Sequence, residues 1–314
     1  MIIFDYPYYR HTASNNRPDL NKGLPLDEHR LMNYKKGDKI KIVELAEGDV
    51  PGPSSTHENI TVFDKIHEML KKYKIDPADV EMVLGSFNFD KLYKEWASKP
   101  HVQEELIGKR NSYGFYFLQE QKRFDDKVEF NDERSKHFIC LNGAVKPKRL
   151  KFVKFCKNHG LMDNYISLVG NYNTTGKKFE PIILDKDSQQ LSLQDKIVPN
   201  VMHDAYLNII NETHEDETVF MTEKTWKPIL NYQLFLYYGV GKPKEYYDVL
   251  LDNGFKLYDE IFNYNNSVEH EIYRFCMTPI KEVKEKFKAV KDKLIYNRQR
   301  ALEIEPYEVW YENT

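Results

Sequence analysis

Thr222, Glu223 and Lys224 put a hydroxyl, a carboxylate and an amine on three successive residues. They lie within Phe220-Met221-Thr222-Glu223-Lys224-Thr225-Trp226-Lys227-Pro228, after an acid-rich patch (Glu212, His214, Glu215, Asp216, Glu217) and before the apolar run 233–239. This context predicts a loop-to-helix junction, where open backbone N–H groups and the helix dipole favour an anion. A lysine in a first helical turn opposes the dipole, so Lys224 calls for negative charge nearby. Two partners fit: Glu223, in a local ion pair, or a bound phosphate. Pro228 removes a helical hydrogen bond and predicts an interruption of the helix there.

A second cationic group, Lys146-Pro147-Lys148-Arg149, follows the apolar run 137–141 and a turn, Asn142-Gly143-Ala144-Val145. A cluster where a strand gives way to a helix lies at the ligand edge of an open α/β sheet. Arginine there can hold phosphate bidentately; the competing reading is a solvated basic helix start. Two such sites in one half of the chain favour the anion site.

Other patterns are weaker. Asp185-Lys186-Asp187 has a D-x-D form suited to a divalent metal, but it follows the short apolar run 182–184 and reads more simply as a polar turn. The ten histidines show no metal-binding spacing, and no H-E-x-x-H, G-x-S-x-G, P-loop or G-x-G-x-x-G motif occurs; no metal site is expected. Glu44, Glu47 and Asp49 lie at or beyond the carboxyl end of a predicted strand, where Glu47 or Asp49 can serve as a general base. The alternative there is a solvated loop.

The elements that position these groups fall into two α/β runs. In the first, strands are predicted over 2–6, 40–45 and 80–85, with one helix carrying Phe63, Ile66, Leu70 and Tyr73 and another carrying Leu92, Tyr93 and Trp96. The charge-dense segment 121–136 suggests a boundary, giving domains 1–133 and 134–314. The second run has strands over 137–141, 165–170, 205–210 and 233–239, and helices from Pro147, over 243–252 with Gly254 as cap, and from about Thr278. That last helix is read as one long element with the stripe Ile280, Val283, Phe287, Val290, Leu294. Strand alternating with helix predicts parallel sheets, hence an α/β protein of two Rossmann-like domains facing a cleft.

Composition bounds the function. Hydrophobic residues at 41% and charged residues at 30% describe a globular protein with sizeable cores. A net charge of −3 argues against a wholesale polyanion binder. Cys140, Cys156 and Cys276 have no C-x-x-C spacing and read as core residues. No signal-peptide pattern opens the chain and no membrane span is expected, so a cytoplasmic location, host cytoplasm if viral, is the default. The four N-x-S/T sequons at Asn59, Asn173, Asn211 and Asn265 are then chance matches.

The segment Phe138 to Arg149 (F-I-C-L-N-G-A-V-K-P-K-R) and the segment Tyr206 to Gly239, with its T-E-K-T-W-K-P-I string, resemble the glycosyltransferase-like proteins of bacteriophages, large viruses and some bacteria. The T-E-K core also resembles the donor-binding motif of the fucosyltransferases. The resemblance implies the GT-B fold, with a UDP- or GDP-sugar held mainly by the C-terminal half and an acceptor-side N-terminal half. It implies that Glu223 binds ribose or sugar hydroxyls, that Lys224 binds the diphosphate, with Thr222 part of the same donor site, and that Arg149 and Lys146 share its charge. Glu212 matches an acid preceding the motif in the fucosyltransferases. The family's arginine after the Leu-Asn pair is Gly143 here, and Lys146 stands where another arginine is common. The implied activity is transfer of a sugar to an acceptor hydroxyl, with no essential metal. The acceptor is a glycan or a modified DNA base; for the latter, Lys146, Lys148, Arg149, Lys151 and Lys154 offer part of a basic strip. A non-catalytic glycan- or nucleotide-binding module is the third possibility.

Overall fold

The computed structural model describes residues 2–5, 31–44, 62–87, 89–100, 102, 105–122, 128–170, 173, 175–176, 178–184, 200–212, 219, 221–239 and 243–306. Glu47, Asp49, Asp185 and Asp187 lie outside them. The chain divides into two compact units, one of residues 1–116, 218–220 and 306–314 and one of residues 117–217 and 221–305. The charged segment 121–136 falls within the span of the second. No helix among the described residues is long and apolar enough to cross a membrane.

In the first unit, β1 (Ile2–Asp5), β2 (Ile40–Glu44), β3 (Val80–Leu84) and β4 (Lys109–Ser112) form a parallel sheet in sequential order. Ile40 is opposite Ile2 on one side and Val80 on the other. Two helices, α1 (Val62–Lys72) and α2 (Phe89–Ala97), bury faces at helical spacing: Phe63, Ile66 and Leu70 on one, Phe89, Tyr93 and Trp96 on the other. The Phe63 ring lies 5.3 to 5.8 Å from those of Phe89, Tyr93 and Trp96, the offset and edge geometry that aromatic quadrupoles favour. After β4 comes α3 (Tyr116–Lys122), which lies in the second unit from Phe117 on.

The second unit holds another parallel sheet, β5 (Lys136–Cys140), β6 (Tyr165–Ile166), β7 (Ala205–Ile210) and β8 (Leu234–Tyr237), in the order β6-β5-β7-β8. Every residue of β7 is buried, as a parallel strand covered on both faces requires. From β5 the chain passes through α4 (Pro147–Asn158) to β6 on one side. It then returns, after α5 (Asn200–His203), as β7 on the other. The carboxyl ends of β5 and β7 therefore flank a topological switch point, where open α/β sheets bind ligands. Helix α6 (Glu223–Leu230) joins β7 to β8, and α7 (Pro243–Asp252), α8 (Val268–Met277), α9 (Ile280–Ala289) and α10 (Lys291–Glu303) complete the unit. Gly254, at φ +84°, closes α7, its amide donating to Leu251 O.

Two expectations are corrected, and one further helix is added. The C-terminal stripe belongs to two helices, not one: the chain breaks at Val290 because α9 packs on β5 and β7 while α10 packs on α6. Helix α8 was not foreseen. And α6 runs through Pro228 to Leu230. The missing bond is outweighed by burial of Trp226, Ile229 and Leu230, each 2% exposed or less, at roughly 1.5 to 3 kcal/mol per large apolar side chain.

A buried histidine in the first unit has a pH consequence. Tyr93 Oη accepts from Leu106 N and Ile107 N, so its single proton goes to His67 Nε2, 2.8 Å away. That places the imidazole proton on Nδ1, which has no hydrogen-bond partner among the described residues. Burial, then Lys71, lowers the His67 pKa to about 4 against the opposing pull of Asp64. The folded state thus binds fewer protons than the unfolded one between about pH 4 and 6.5. Stability should fall as pH drops through this window, by up to about 3 kcal/mol from this group. Denaturant melts across pH should show a shallower acid slope for His67→Phe than for the native chain.

Candidate functional site

The turn before α6 is built on one buried carboxylate. Glu212, 1% exposed, lies just beyond β7. Its Oε1 accepts from Thr222 N at 2.9 Å and from Thr225 Oγ1 at 2.8 Å, and its Oε2 accepts from Thr222 Oγ1 at 2.5 Å. Thr222 is the N-cap of α6, extended at φ −95° and ψ −169°, and its Oγ1 accepts from Lys224 N at 3.3 Å. With the Thr225 proton committed to Glu212, the Tyr246 hydroxyl of α7 donates to Thr225 Oγ1 at 2.9 Å. The chain Tyr246 to Thr225 to Glu212 to Thr222 thus fixes where the first turn of α6 begins.

Lys224 has the local partner that its neighbour offers. Its Nζ lies 2.7 Å from Glu223 Oε1 and 3.4 Å from Thr222 Oγ1. Burial pushes the Glu223 carboxyl up, but Lys224, helped by Lys227 and Thr222, holds it below its ordinary value. The Lys224 side chain is 20% exposed and that of Glu223 10%. The ammonium is therefore the more accessible member of the pair, on a turn whose amides already favour negative charge.

On the other side of the switch point, Lys146 is the extended N-cap of α4, with Pro147 in the first helical position. Lys148 and Arg149 turn inward, 4% and 1% exposed. Arg149 Nη1 donates to Ala144 O at 3.0 Å and Nη2 to Asn211 O at 3.2 Å. The guanidinium thus straps the loop after β5 to the end of β7. Of the five residues of the supposed basic strip, Lys151 and Lys154 are exposed, and Lys151 is 3.2 Å from Glu269.

Sequence reasoning passed over Thr225, Tyr246 and Tyr237. Tyr237, the last residue of β8, stacks on Tyr246 with centroids 4.1 Å apart and planes 8° from parallel. Gly239 permits this: a Cβ there would lie 1.9 Å from the Tyr237 ring. At the same end of β8 a cavity of about 290 Å³ opens beside Lys148, Tyr238, Ser267 and Glu269. Four tyrosines at 237, 238, 246 and 247 were the available signal, but a ring count does not separate core from site. Among the described residues no group of three or more His, Cys, Asp or Glu side chains is gathered to hold a metal.

Chemically, the turn offers helix-terminal amides and a partly exposed ammonium that can exchange a carboxylate for another anion. Such an arrangement can bind a phosphate group and stabilise charge developing on it as a leaving group.

No protein-family model matches the chain, and no curated protein is significantly similar to it. Among solved structures the chain is similar to T4 phage BGT in complex with UDP and Mn2+, at 12% identity, over 87% of this chain and 76% of that one. The TM-score is 0.30, too low to establish a shared fold.

Glu212→Ala would leave three buried donors without an acceptor and should destabilise the chain by about 2 to 4 kcal/mol. Thr225→Val, which cuts one bond to Glu212 and the one from Tyr246, should cost about 1 to 2 kcal/mol. Urea denaturation of each variant measures both effects.

Proposed function

We propose that the chain is a glycosyltransferase moving a sugar from a nucleotide-diphosphate donor, a UDP- or GDP-sugar, to an acceptor hydroxyl, and that its two α/β units are Rossmann-like domains. The observation that carries the proposal is a partly exposed Lys224 ammonium on a helix-initiating turn that the buried Glu212 holds in place. The turn stands at the carboxyl edge of a parallel sheet, beside its switch point. In this reading the donor diphosphate takes the Lys224 ammonium over from Glu223 and the Lys224 amide over from Thr222 Oγ1, 3.3 Å away. Glu223, released from its ion pair, then accepts from sugar or ribose hydroxyls.

Breaking the bond between the sugar and the diphosphate leaves negative charge on the β-phosphate, and the Lys224 ammonium and amide meet that charge as it develops. Arg149, held beneath both loops, contributes its charge from below, and Lys146 adds charge at the start of α4. These cations supply the neutralisation that other such enzymes draw from a divalent metal. The acceptor hydroxyl attacks the sugar carbon and its proton passes to a carboxylate, for which Glu47 or Asp49 remain the candidates. Duplex DNA as the acceptor gains nothing from Lys148 and Arg149, both of which are buried.

Lys224→Ala should keep its fold by circular dichroism and lose transfer by about 100-fold or more, the scale seen when a group that stabilises developing charge is removed. A panel of nucleotide-sugars screened by thermal shift would first identify the donor. Near-normal turnover in the variant would remove the phosphate assignment.

A further inference from the structure

The cavity at the carboxyl end of β8 is walled by groups that the Thr222 turn does not use. On one side are Tyr237 and Tyr238. Facing them is the first turn of α8, capped by Ser267, whose Oγ accepts from His270 N at 3.2 Å and whose own proton is left to donate. Glu269, in that turn, lines the cavity, and its Oε1 accepts from Lys151 Nζ and Tyr238 Oη, each at 3.2 Å. Burial raises the Glu269 carboxyl, but its own amide, Lys151 and Tyr238 hold it below its ordinary value, so it is an ionised acceptor at neutral pH. A carboxylate offers about four lone-pair sites, and capacity remains after these bonds.

This wall is preorganised. Glu271, 2% exposed, accepts from Asn263 N at 3.2 Å, Asn266 Nδ2 at 2.6 Å and the Arg274 guanidinium. Those bonds lock the loop leading into α8.

Charge and size then select a ligand. Of the charged groups that line the cavity, Lys151 is paired with Glu269 and Glu271 with Arg274, and Lys148 is 4% exposed, so little open positive charge marks the cavity for phosphate. About 290 Å³ is near the lower limit of small-molecule pockets, roughly 300 Å³, and suits a single ring with its substituents. A carboxylate acceptor demands hydroxyl or amine donors, while tyrosine faces suit a flat C–H surface; a sugar ring presents both.

We propose that this cavity is a sugar-ring site, in which Glu269 accepts from a ring hydroxyl and the tyrosines pack against the C–H face. It is distinct from the proposed diphosphate turn and does not depend on it. The ring can be a pyranose bound in its own right or the ribose of a nucleotide, and one experiment separates these sources.

Saturation-transfer NMR on the full chain would use the methyl glycosides of glucose, galactose and mannose, together with uridine and guanosine. At least one probe should give a signal. Glu269→Gln should weaken its binding about tenfold, the loss of one hydrogen bond to a charged group. Val268→Trp, which puts an indole into the cavity, should abolish it, while Lys224→Ala should leave it intact. A glycoside signal displaced by uridine or guanosine, or a signal from a nucleoside alone, identifies the ring as ribose; a glycoside signal that neither displaces identifies a pyranose. Absence of all signals with folded protein, or undiminished signals in folded Glu269→Gln or Val268→Trp, overturns the proposal. Loss of UDP and GDP binding in Lys224→Ala, or its absence altogether, bears on the diphosphate turn alone.

Discussion

The carboxylate of Glu212 is the group on which the second unit's ligand edge depends. Sealing a charged group from water is costly unless donors replace the water it loses. Here three do, all from the turn and first helical residues it anchors, and the positive end of the α6 dipole lies close by. The arrangement is reciprocal. Thr222 and Thr225 satisfy Glu212, and Glu212 decides where α6 begins, and with it the positions of Glu223 and Lys224. Burial of Trp226, Ile229 and Leu230 then holds the helix despite Pro228.

The same support reaches further. Tyr246 donates to Thr225 and stacks on Tyr237, and Tyr237 borders the cavity beyond β8. The turn at Thr222 and the cavity thus share one buried framework of Glu212, Thr225, Tyr246 and Tyr237, although they offer opposite chemistry. One presents an ammonium at the start of a helix; the other presents an ionised acceptor among aromatic rings with its charges balanced. Arg149 plays a comparable part across the switch point, because its bonds go to backbone carbonyls on two loops rather than to solvent.

Much of this was legible in the residues themselves. Buried parallel strands read as apolar runs, so β2, β3, β5, β7 and β8 stand out, and the T-E-K string announces a helix start with an awkwardly placed lysine. Other features leave no local trace. The edge strand β4, Lys-Arg-Asn-Ser, pairs with β3 through backbone bonds, and Lys109 and Arg110 find partners in Glu81, Asp90 and Glu105, so no apolar alternation betrays it. The break at Val290 follows from the two surfaces that α9 and α10 cover, not from a glycine or proline. Lysine and arginine are exposed by default, which hides the inward turn of Lys148 and Arg149. The link from Thr225 to Tyr246 joins two helices and has no short-range signature. The local ion pair between Lys224 and Glu223 was one of two open alternatives, and the folded chain forms it.

The central claim is that the turn at Thr222 receives the phosphates of a nucleotide. Its most direct test is a titration of isotope-labelled protein with UDP and with GDP, followed through the backbone amide resonances of Lys224 and Thr225. Saturable shifts of those two amides with either nucleotide are expected, as phosphate oxygens take the Lys224 N–H over from Thr222 Oγ1 and polarise the bond from Thr225 N to Thr222 O. Nucleotide binding that leaves both amides unmoved while shifting resonances elsewhere would contradict the account.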